Sequence, residues 1–503
     1  MAKPDVESHA TGHSVGYRRL MLGLLVAAYT ANFIDRTIVA SIGQAIKADL
    51  KLTDTQLGLL GGLYFALLYT VLGIPIARFA ERYSRVNIIS GAIVIWSAFT
   101  ALCGTAASYA TLAAYRFGVG VGEAGLSPPA HSLISDYYEP EKRASALSIY
   151  SLGVPLGTLF GAVVGGWLAQ NYSWRVAFVA VGLPGVLIAV AIKLVIKELP
   201  RGASDPGGAA AHPGQAMSFG RELRETARVA RLLFGRWPIL NMVLGITLIS
   251  FAGYGGGQFV QPYWSRTFGL DYAQVGLITG LIGAGSQAVG VILGGYVTDR
   301  LARSGSPAWY GLVPAIGITL AYPFIVGIYT APTWQMAAFW MLFPGALSYV
   351  FMGPTYGVIQ NSVPAARRAT ATAVLFFFLN LIALGGGPPF TGWMIDHFAA
   401  FHYVHPGERG VLTAITNFFA ADTDSFQSAC PGGEGASGAG TVADAACKAA
   451  VQLATRQGVL IAYGFGLWAA LHYFLASFGL KRSLDQSRRE AGDAQFEAEG
   501  DMT

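Results

Sequence analysis

Four ionisable side chains stand where an apolar chain should hold none. Asn32-Phe33-Ile34-Asp35-Arg36 sets a carboxylate beside a guanidinium inside the apolar run from Leu20 to Ile46. Arg116-Phe117-Gly118-Val119-Gly120-Val121-Gly122-Glu123-Ala124 sets a second acid and base in another apolar run. If these runs cross a membrane, each charge costs about 2.5–3.5 kcal/mol near a helix centre. The plain reading is a set of neutralised pairs that hold helices together. The sharper one is a proton or substrate site. On a helix, Arg116 and Glu123 share a face, about 10 Å apart along the axis. Gly118, Gly120 and Gly122 remove bulk between them and let another helix approach. Desolvation and nearby guanidiniums act on such a carboxyl in opposite senses, which suits a proton carrier.

The rest of the chain must position these groups in a bilayer. Of its 503 residues, 53% are hydrophobic and 12% charged, against about 25% charged in soluble domains. Apolar runs of 20 residues or more recur, long enough for a hydrocarbon core about 30 Å thick. We count twelve spans: about 18–46, 55–79, 86–107, 110–134, 145–170, 175–197, 237–264, 271–297, 308–330, 333–360, 370–396 and 456–479. The net charge of +5 comes from bases scattered between spans rather than from a contiguous patch, so nucleic acid is not an expected partner. Most Lys and Arg fall on the side that carries both termini, which makes that side cytoplasmic by the positive-inside rule. No Walker sequence, nucleophile–base set or Cys/His cluster is present, so neither an enzyme, a cofactor nor a metal site is expected.

The organisation follows as an N-tail (1–17), a six-helix half (18–197), a cytoplasmic linker (198–236), a second six-helix half (237–480) with a long periplasmic loop (397–455), and a C-tail (481–503). In the linker, Arg221, Arg224, Arg228 and Arg231 form a basic stripe. Phe219, Leu223, Ala227, Ala230, Leu233 and Phe234 line another face, as in a helix lying at anionic headgroups. In the long loop, Cys430 and Cys447 are a possible disulfide on an oxidising outer face.

Three motifs repeat in the same order. Ala77-Arg78-Phe79-Ala80-Glu81-Arg82 and Gly295-Tyr296-Val297-Thr298-Asp299-Arg300 follow the second and eighth spans, offset by 218 residues. Arg143-Ala144-Ser145-Ala146 and Arg368-Ala369-Thr370-Ala371 precede the fifth and eleventh. Gly165-Gly166-Trp167 and Thr391-Gly392-Trp393 end those spans, offset by 226. Two duplicated six-helix halves are a known transporter plan. The acid–Arg turns resemble the G-x-x-x-D-R-x-x-R/K signature of the major facilitator superfamily. Ala77 and Glu81 depart from it in the first copy, while Arg82 and Arg85 match; Asp299, Arg300 and Arg303 match in the second. The resemblance implies that Glu81, Arg82, Arg85, Asp299 and Arg300 form gating latches. The runs Gly153 to Gly157 and Gly385 to Pro389 are expected to kink matching helices.

Asn32-x-x-Asp35-Arg36, Gly120-Val121-Gly122-Glu123-Ala124, Ala130, Ile134, Asp136, Arg143, Leu147-Ser148-Ile149-Tyr150, Pro155 and Gly157 resemble the spinster branch of lysolipid and sphingolipid transporters. That resemblance rests on about residues 30–175 and the superfamily resemblance on about 18–480. It implies Asp35 and Glu123 as proton-coupling acids. Arg36 becomes their switching partner and headgroup contact, Arg116 supports Glu123, and all four count as substrate-binding. Expected partners are a lipid-like amphipathic substrate, protons and membrane lipids, with a monomer in a bacterial-type inner membrane. Aromatics such as Phe351, Phe376, Phe377, Phe378, Tyr254 and Tyr356 are candidate walls for an acyl chain. Proton-coupled organic-anion symporters share Asn-x-x-Asp-Arg and Glu-Ala and form the alternative. A static receptor on the same fold is a third reading, which the retained latches disfavour.

Overall fold

The computed structural model describes residues 13–138, 146–147, 149–200, 203, 219–304, 306–363, 368–406, 420–438 and 440–486. Every regular element among them is helical. Among the described residues, eleven helices are long and apolar enough to cross a membrane. The remaining expected span, 110–134, is interrupted, as set out below. Contacts divide the chain into two units. The first holds residues 1–52, 64–216 and 271–280, and the second holds 53–63, 217–270 and 281–503.

The first unit is built from α1 (Val15–Leu50), α3 (Leu63–Arg82), α4 (Arg85–Cys103), α5 (Tyr109–Glu123), α6 (Ser127–Tyr137), α7 (Gly153–Asn171), α8 (Trp174–Val195) and the short α11 (Tyr272–Ile278). Side-chain oxygens start many of these helices, because the first turn leaves amides without carbonyl partners. Ser14, Ser84 and Ser173 accept from the amides of Tyr17, Asn87 and Val176, and Ser108 forms a capping box with Thr111. The expected fourth span breaks at residues 124–126, between α5 and α6. Gly125 sits there, and Pro128-Pro129 contribute no N–H to carry a continuous helix across. Hydrophobicity runs on through the break, so the sequence reads as one span.

The second unit contains α2 (Asp54–Gly61), the linker helix α9 (Phe219–Gly235), α10 (Trp237–Phe268), α12 (Ala284–Ser304), α13 (Trp309–Thr330), α14 (Trp334–Met341), α15 (Pro344–Ser348), α16 (Met352–Asn361), α17 (Arg368–Phe378), α18 (Gly385–Val404), α19 (Thr423–Ala429) and α20 (Gly440–Ser477). A π-helical turn, Leu379–Leu384, precedes α18. Pro388 and Pro389 cannot donate to the carbonyls of residues 384 and 385, which accounts for the irregular winding there. The stretch expected as one long loop, 397–455, is largely helical where described. α18 runs on to Val404, and α20 begins at Gly440 rather than near 456. Ala-rich sequence with few β-branched residues favours helix whether or not it is apolar, and hydrophobicity alone misses that extension. Cys430 is joined to Cys447 by a disulfide that ties α20 to the turn after α19.

The duplication is visible in backbone packing. In the second unit a Cβ added at Gly392 would fall 2.1 Å from the Asp54 carbonyl oxygen, and one at Gly58 would fall 2.3 Å from that of Pro388. In the first unit a Cβ on Gly166 would fall 2.3 Å from the Tyr272 carbonyl oxygen, and one on Gly276 would fall 2.2 Å from that of Ala162. These four positions correspond under the 218- and 226-residue offsets. So do two hydrogen bonds: Asp54 N donates to Asp396 Oδ1 at 2.8 Å, and Tyr272 N donates to Gln170 Oε1 at 3.2 Å. Each unit therefore contains the same seam, with helices close enough to exclude a methyl group. The motif Arg143-Ala144-Ser145 lies outside the described residues.

Overpacking a tight contact costs about 1–3 kcal/mol. Gly392→Ala and Gly166→Ala are each expected to destabilise the protein by that amount, with Gly257→Ala, where an added methyl meets nothing within 4 Å, as the neutral control. Thermal unfolding in detergent checks this.

A buried charge cluster as candidate functional site

All four charges anticipated inside spans lie in the first unit. Asp35, Arg116 and Glu123 are each 1–2% exposed. Arg36 Nε donates to Glu123 Oε2 at 2.7 Å, and the Arg36 side chain is 17% exposed while that of Glu123 is sealed. The Arg36 guanidinium also lies over three rings: Tyr69 at 4.5 Å, and Phe33 and Phe65 at 5.0 Å. Cation–π attraction of this kind partly replaces lost hydration. Arg116 sits 5.4 Å from the other side of the problem, the Phe65 ring, and its Nη1 donates to the Asp35 backbone carbonyl at 3.4 Å. Thr100 Oγ1 donates to Asp35 Oδ2 at 3.0 Å. The acid thus held by Arg36 is Glu123, from another helix, rather than its neighbour in sequence.

Asp35 Oδ1 is buried without a hydrogen-bond partner, an unmet acceptor of a costly kind. The Asn32 side chain lies beside the Glu123 carboxyl. The glycines of α5 do what their spacing suggests. A Cβ at Gly120 would meet the Phe65 carbonyl oxygen at 2.6 Å, while Gly118 and Gly122 lie against Phe99 and Trp96 of α4. Glu123 is the last residue of α5, so the break that follows leaves it at a helix end inside the unit.

Two further groups escaped the sequence reading. Phe65, Tyr69 and Thr100 complete the cluster, but aromatics and threonines are common in membrane helices and carry no warning of this role. Asp54 and Arg266 form a buried pair, with Arg266 Nη2 donating to Asp54 Oδ1 at 2.6 Å and Nη1 to Thr455 Oγ1 at 2.7 Å. Both stand at span ends, where charge is ordinary. Asp396 accepts from the amides of Asp54 and Thr55 and from the Thr55 hydroxyl at 2.6–2.8 Å.

The expected latch residue Arg85 lies at the end of the first unit that carries the linker root. Arg85 is fully buried. It donates to Asp136, to Glu198 Oε1 at 2.7 Å, to Ser132 Oγ at 2.9 Å and to the Leu199 carbonyl at 2.7 Å. Glu198 also accepts from Val86 N and Ser84 Oγ, at the first turn of α4. Tyr17 and Tyr137 hold the backbone of residues 195–197 beside it. Of the other expected latch residues, Arg82, Asp299 and Arg300 are exposed, Asp299 accepts from the Tyr310 hydroxyl, and the Glu81 side chain is outside the description. Among the aromatics expected to wall an acyl chain, Phe351 is buried in the core, and Phe378 packs edge-on against Phe234 of α9. Phe376 and Tyr254 are exposed.

Burial raises the Glu198 carboxyl, but the bonds from Val86, Arg85 and Ser84 outweigh it and leave it below its ordinary value of 4.5. A depressed carboxyl stabilises the fold above its unfolded pKa and loses that contribution as pH falls through the folded one. The parent protein is therefore expected to lose thermal stability as pH falls from about 5 toward 3, and Glu198→Gln to flatten that part of the profile. Separately, Asp54→Ala leaves Arg266 buried without its carboxylate and is expected to cost about 3–5 kcal/mol, read as a drop in melting temperature.

A family model described as Major Facilitator Superfamily matches residues 25–388. The crystal structure of a bacterial homolog to the human lysosomal transporter Spinster, inward-facing and occupied, superposes with a TM-score of 0.78 at 33% identity, covering 92% of this chain and 98% of that one. An MFS-type efflux pump of Mycolicibacterium smegmatis is 29% identical over 77% of this chain and 87% of its own. The sphingosine-1-phosphate transporter SPNS2 of Danio rerio is 27% identical over 74% and 75%. A hexuronate transporter of Bacillus subtilis is 24% identical over 75% and 88%. These relatives are transporters rather than enzymes, and the chain is a multi-pass membrane transporter of the major facilitator superfamily, in its spinster-like branch.

Proposed function

We propose that this transporter moves an amphipathic, lipid-like anion of the lysolipid or sphingolipid class by alternating access, coupled to protons through Glu123 and Asp35. One observation carries the reading. Arg36 is the partly exposed member of an otherwise sealed charge cluster, held by a single carboxylate oxygen and ringed by aromatic carbon. Protonation of Glu123 removes the charge that holds Arg36. The freed guanidinium then has the planar fork that takes a phosphate or carboxylate in bidentate fashion. Phe33, Phe65 and Tyr69 give the same site an apolar rim suited to the first carbons of an acyl or sphingoid chain.

Asp35 supplies a second protonatable acid one residue away, steadied by Thr100, and Arg116 compensates the charge of the cluster when both acids are ionised. Losing one member of a buried pair costs about 3–5 kcal/mol, enough to move a two-state equilibrium by two to three decades. In this scheme the protein lies in a cell membrane with both termini in the cytoplasm. The bias of Lys and Arg toward the terminal side supports that orientation. The linker-side network around Arg85 belongs to gating, since it ties the root of the linker to α4 and α6.

A second reading, proton-coupled symport of a hydrophilic organic anion, is favoured by the hexuronate transporter among the relatives. Uptake and efflux of a labelled lysophospholipid against a hexuronate in proteoliposomes, each with and without a pH gradient, separate the two. Lipid transport is expected, and transport of the sugar acid alone would sink the lipid reading. Glu123→Gln is expected to abolish the response to the gradient while leaving the protein folded. Arg36→Ala is expected to weaken lysolipid binding by about tenfold or more, the loss of one charge-assisted contact.

A further inference from the structure

The helix that follows the break in the fourth span has a polar side that the charge cluster does not use. On α6, Ala130, Leu133, Ile134 and Tyr137 are buried, while Pro128, His131 and Ser132 are exposed. Ser127, His131 and Ser135 follow at steps of four and stand in line on one face. Polar side chains left exposed within a span face water or a ligand rather than acyl chains. α6 runs from the charge cluster to the linker root, where the Tyr137 hydroxyl donates to the Lys197 carbonyl at 2.6 Å.

His131 is joined to Arg36 by an unbroken line of rings, all within the first unit. Its imidazole meets the Tyr150 ring edge-on at 5.3 Å. Tyr150 stacks on Tyr29 at 4.4 Å, Tyr29 meets Phe33 edge-on at 5.1 Å, and Phe33 lies 5.0 Å from the Arg36 guanidinium. Tyr150 is fully buried, and its hydroxyl is hydrogen-bonded to Ser127 and within electrostatic reach of Arg36. Tyr29, Phe33 and Arg36 are half-buried and His131 is exposed, so the line is accessible at both ends. The rise along α1 from Tyr29 to Arg36 is about 10 Å, which sets the scale of the line. A bare phosphate or carboxylate on Arg36 is too short to span it. A phosphate that carries a short amine or polyol can be held at both ends.

The far end of the line offers an acceptor rather than a charge. Asp136 is the one acid of α6, and it is buried and bonded to Arg85. Ser132 Oγ already accepts from Arg85, and Ser135 Oγ donates to the His131 carbonyl. Among the described residues of this face, the imidazole is the group positioned to meet a ligand, and a neutral imidazole keeps one bare nitrogen that accepts. We propose that His131 is a specificity-determining contact, accepting a hydrogen bond from the far end of a headgroup whose phosphate sits on Arg36. This rests on the lipid reading above and narrows it: the headgroup ends in an N–H or O–H donor, an ammonium or a hydroxyl. Phe33 and Tyr29 flank the carbons that join its two ends.

The test measures binding of lysolipids with one common acyl chain to the full protein in detergent micelles near neutral pH. Lysophosphatidylethanolamine ends in N–H donors and lysophosphatidylglycerol in hydroxyls. Lysophosphatidylcholine ends in an ammonium without N–H, and lysophosphatidic acid has nothing beyond its phosphate. The parent is expected to bind the ethanolamine and glycerol lipids about tenfold tighter than the other two, the worth of one hydrogen bond. A margin for only one of them supports the contact and assigns the donor. His131→Ala is expected to erase the margin and leave the choline lipid and lysophosphatidic acid unchanged, which also shows that the variant is folded. His131→Gln, whose amide oxygen still accepts, is expected to restore part of it. An equal loss for all the lipids in His131→Ala, or no loss for any, overturns the proposal. A parent that binds them without discrimination overturns the contact alone, whereas a parent that binds none overturns the lipid reading and the contact with it.

Discussion

The first unit depends on one constraint: charge inside hydrocarbon has to be answered by the protein itself. Each feature around Arg36 and Glu123 reads as part of that answer. The two are joined directly, three rings surround the guanidinium, and three glycines let α3 and α4 come close enough to seal the acid. Glu123 is the last residue of α5, just before the break at residues 124–126. The answer is nevertheless incomplete. One oxygen of Asp35 remains without a hydrogen-bond partner, so the arrangement leaves polar capacity unmet.

The linker side of the first unit solves a different problem with similar parts. Arg85 is as buried as Arg116, yet its donors are spread over two carboxylates, a hydroxyl and a backbone carbonyl. Glu198 is in turn held by an amide and a hydroxyl at the start of α4. These bonds tie residues 198–199 at the root of the linker to α4 and α6.

The positions of the spans, the odd charges, the role of Gly118, Gly120 and Gly122, and the two-faced linker were all legible in the sequence, because each rests on local spacing. The rings around Arg36 were not, since their significance appears only when α1, α3 and α5 are packed together. Asp54 and Arg266 each look like an ordinary boundary charge, and nothing local reveals that residues 212 apart form a buried pair. The interruption near Gly125 had its signal in Pro128-Pro129, but unbroken hydrophobicity outweighed it. The helical start of α20 was hidden for the converse reason: its first turns are helix-forming without being apolar enough to read as a span.

The paired seams carry a lesson about what duplication preserves. At both seams the constraint is a backbone oxygen lying where a methyl group would otherwise be, so the glycines are fixed by geometry that no side chain can relax. The groups that bond across the seams are under no such restriction. One copy uses the carboxylate of Asp396 and adds the Asp54–Arg266 pair, while the other uses the neutral amide of Gln170. The two seams thus share a mechanical joint but not its wiring. A symmetry of shape is kept while the electrical character of each seam differs, giving an asymmetric machine from two copies of one part.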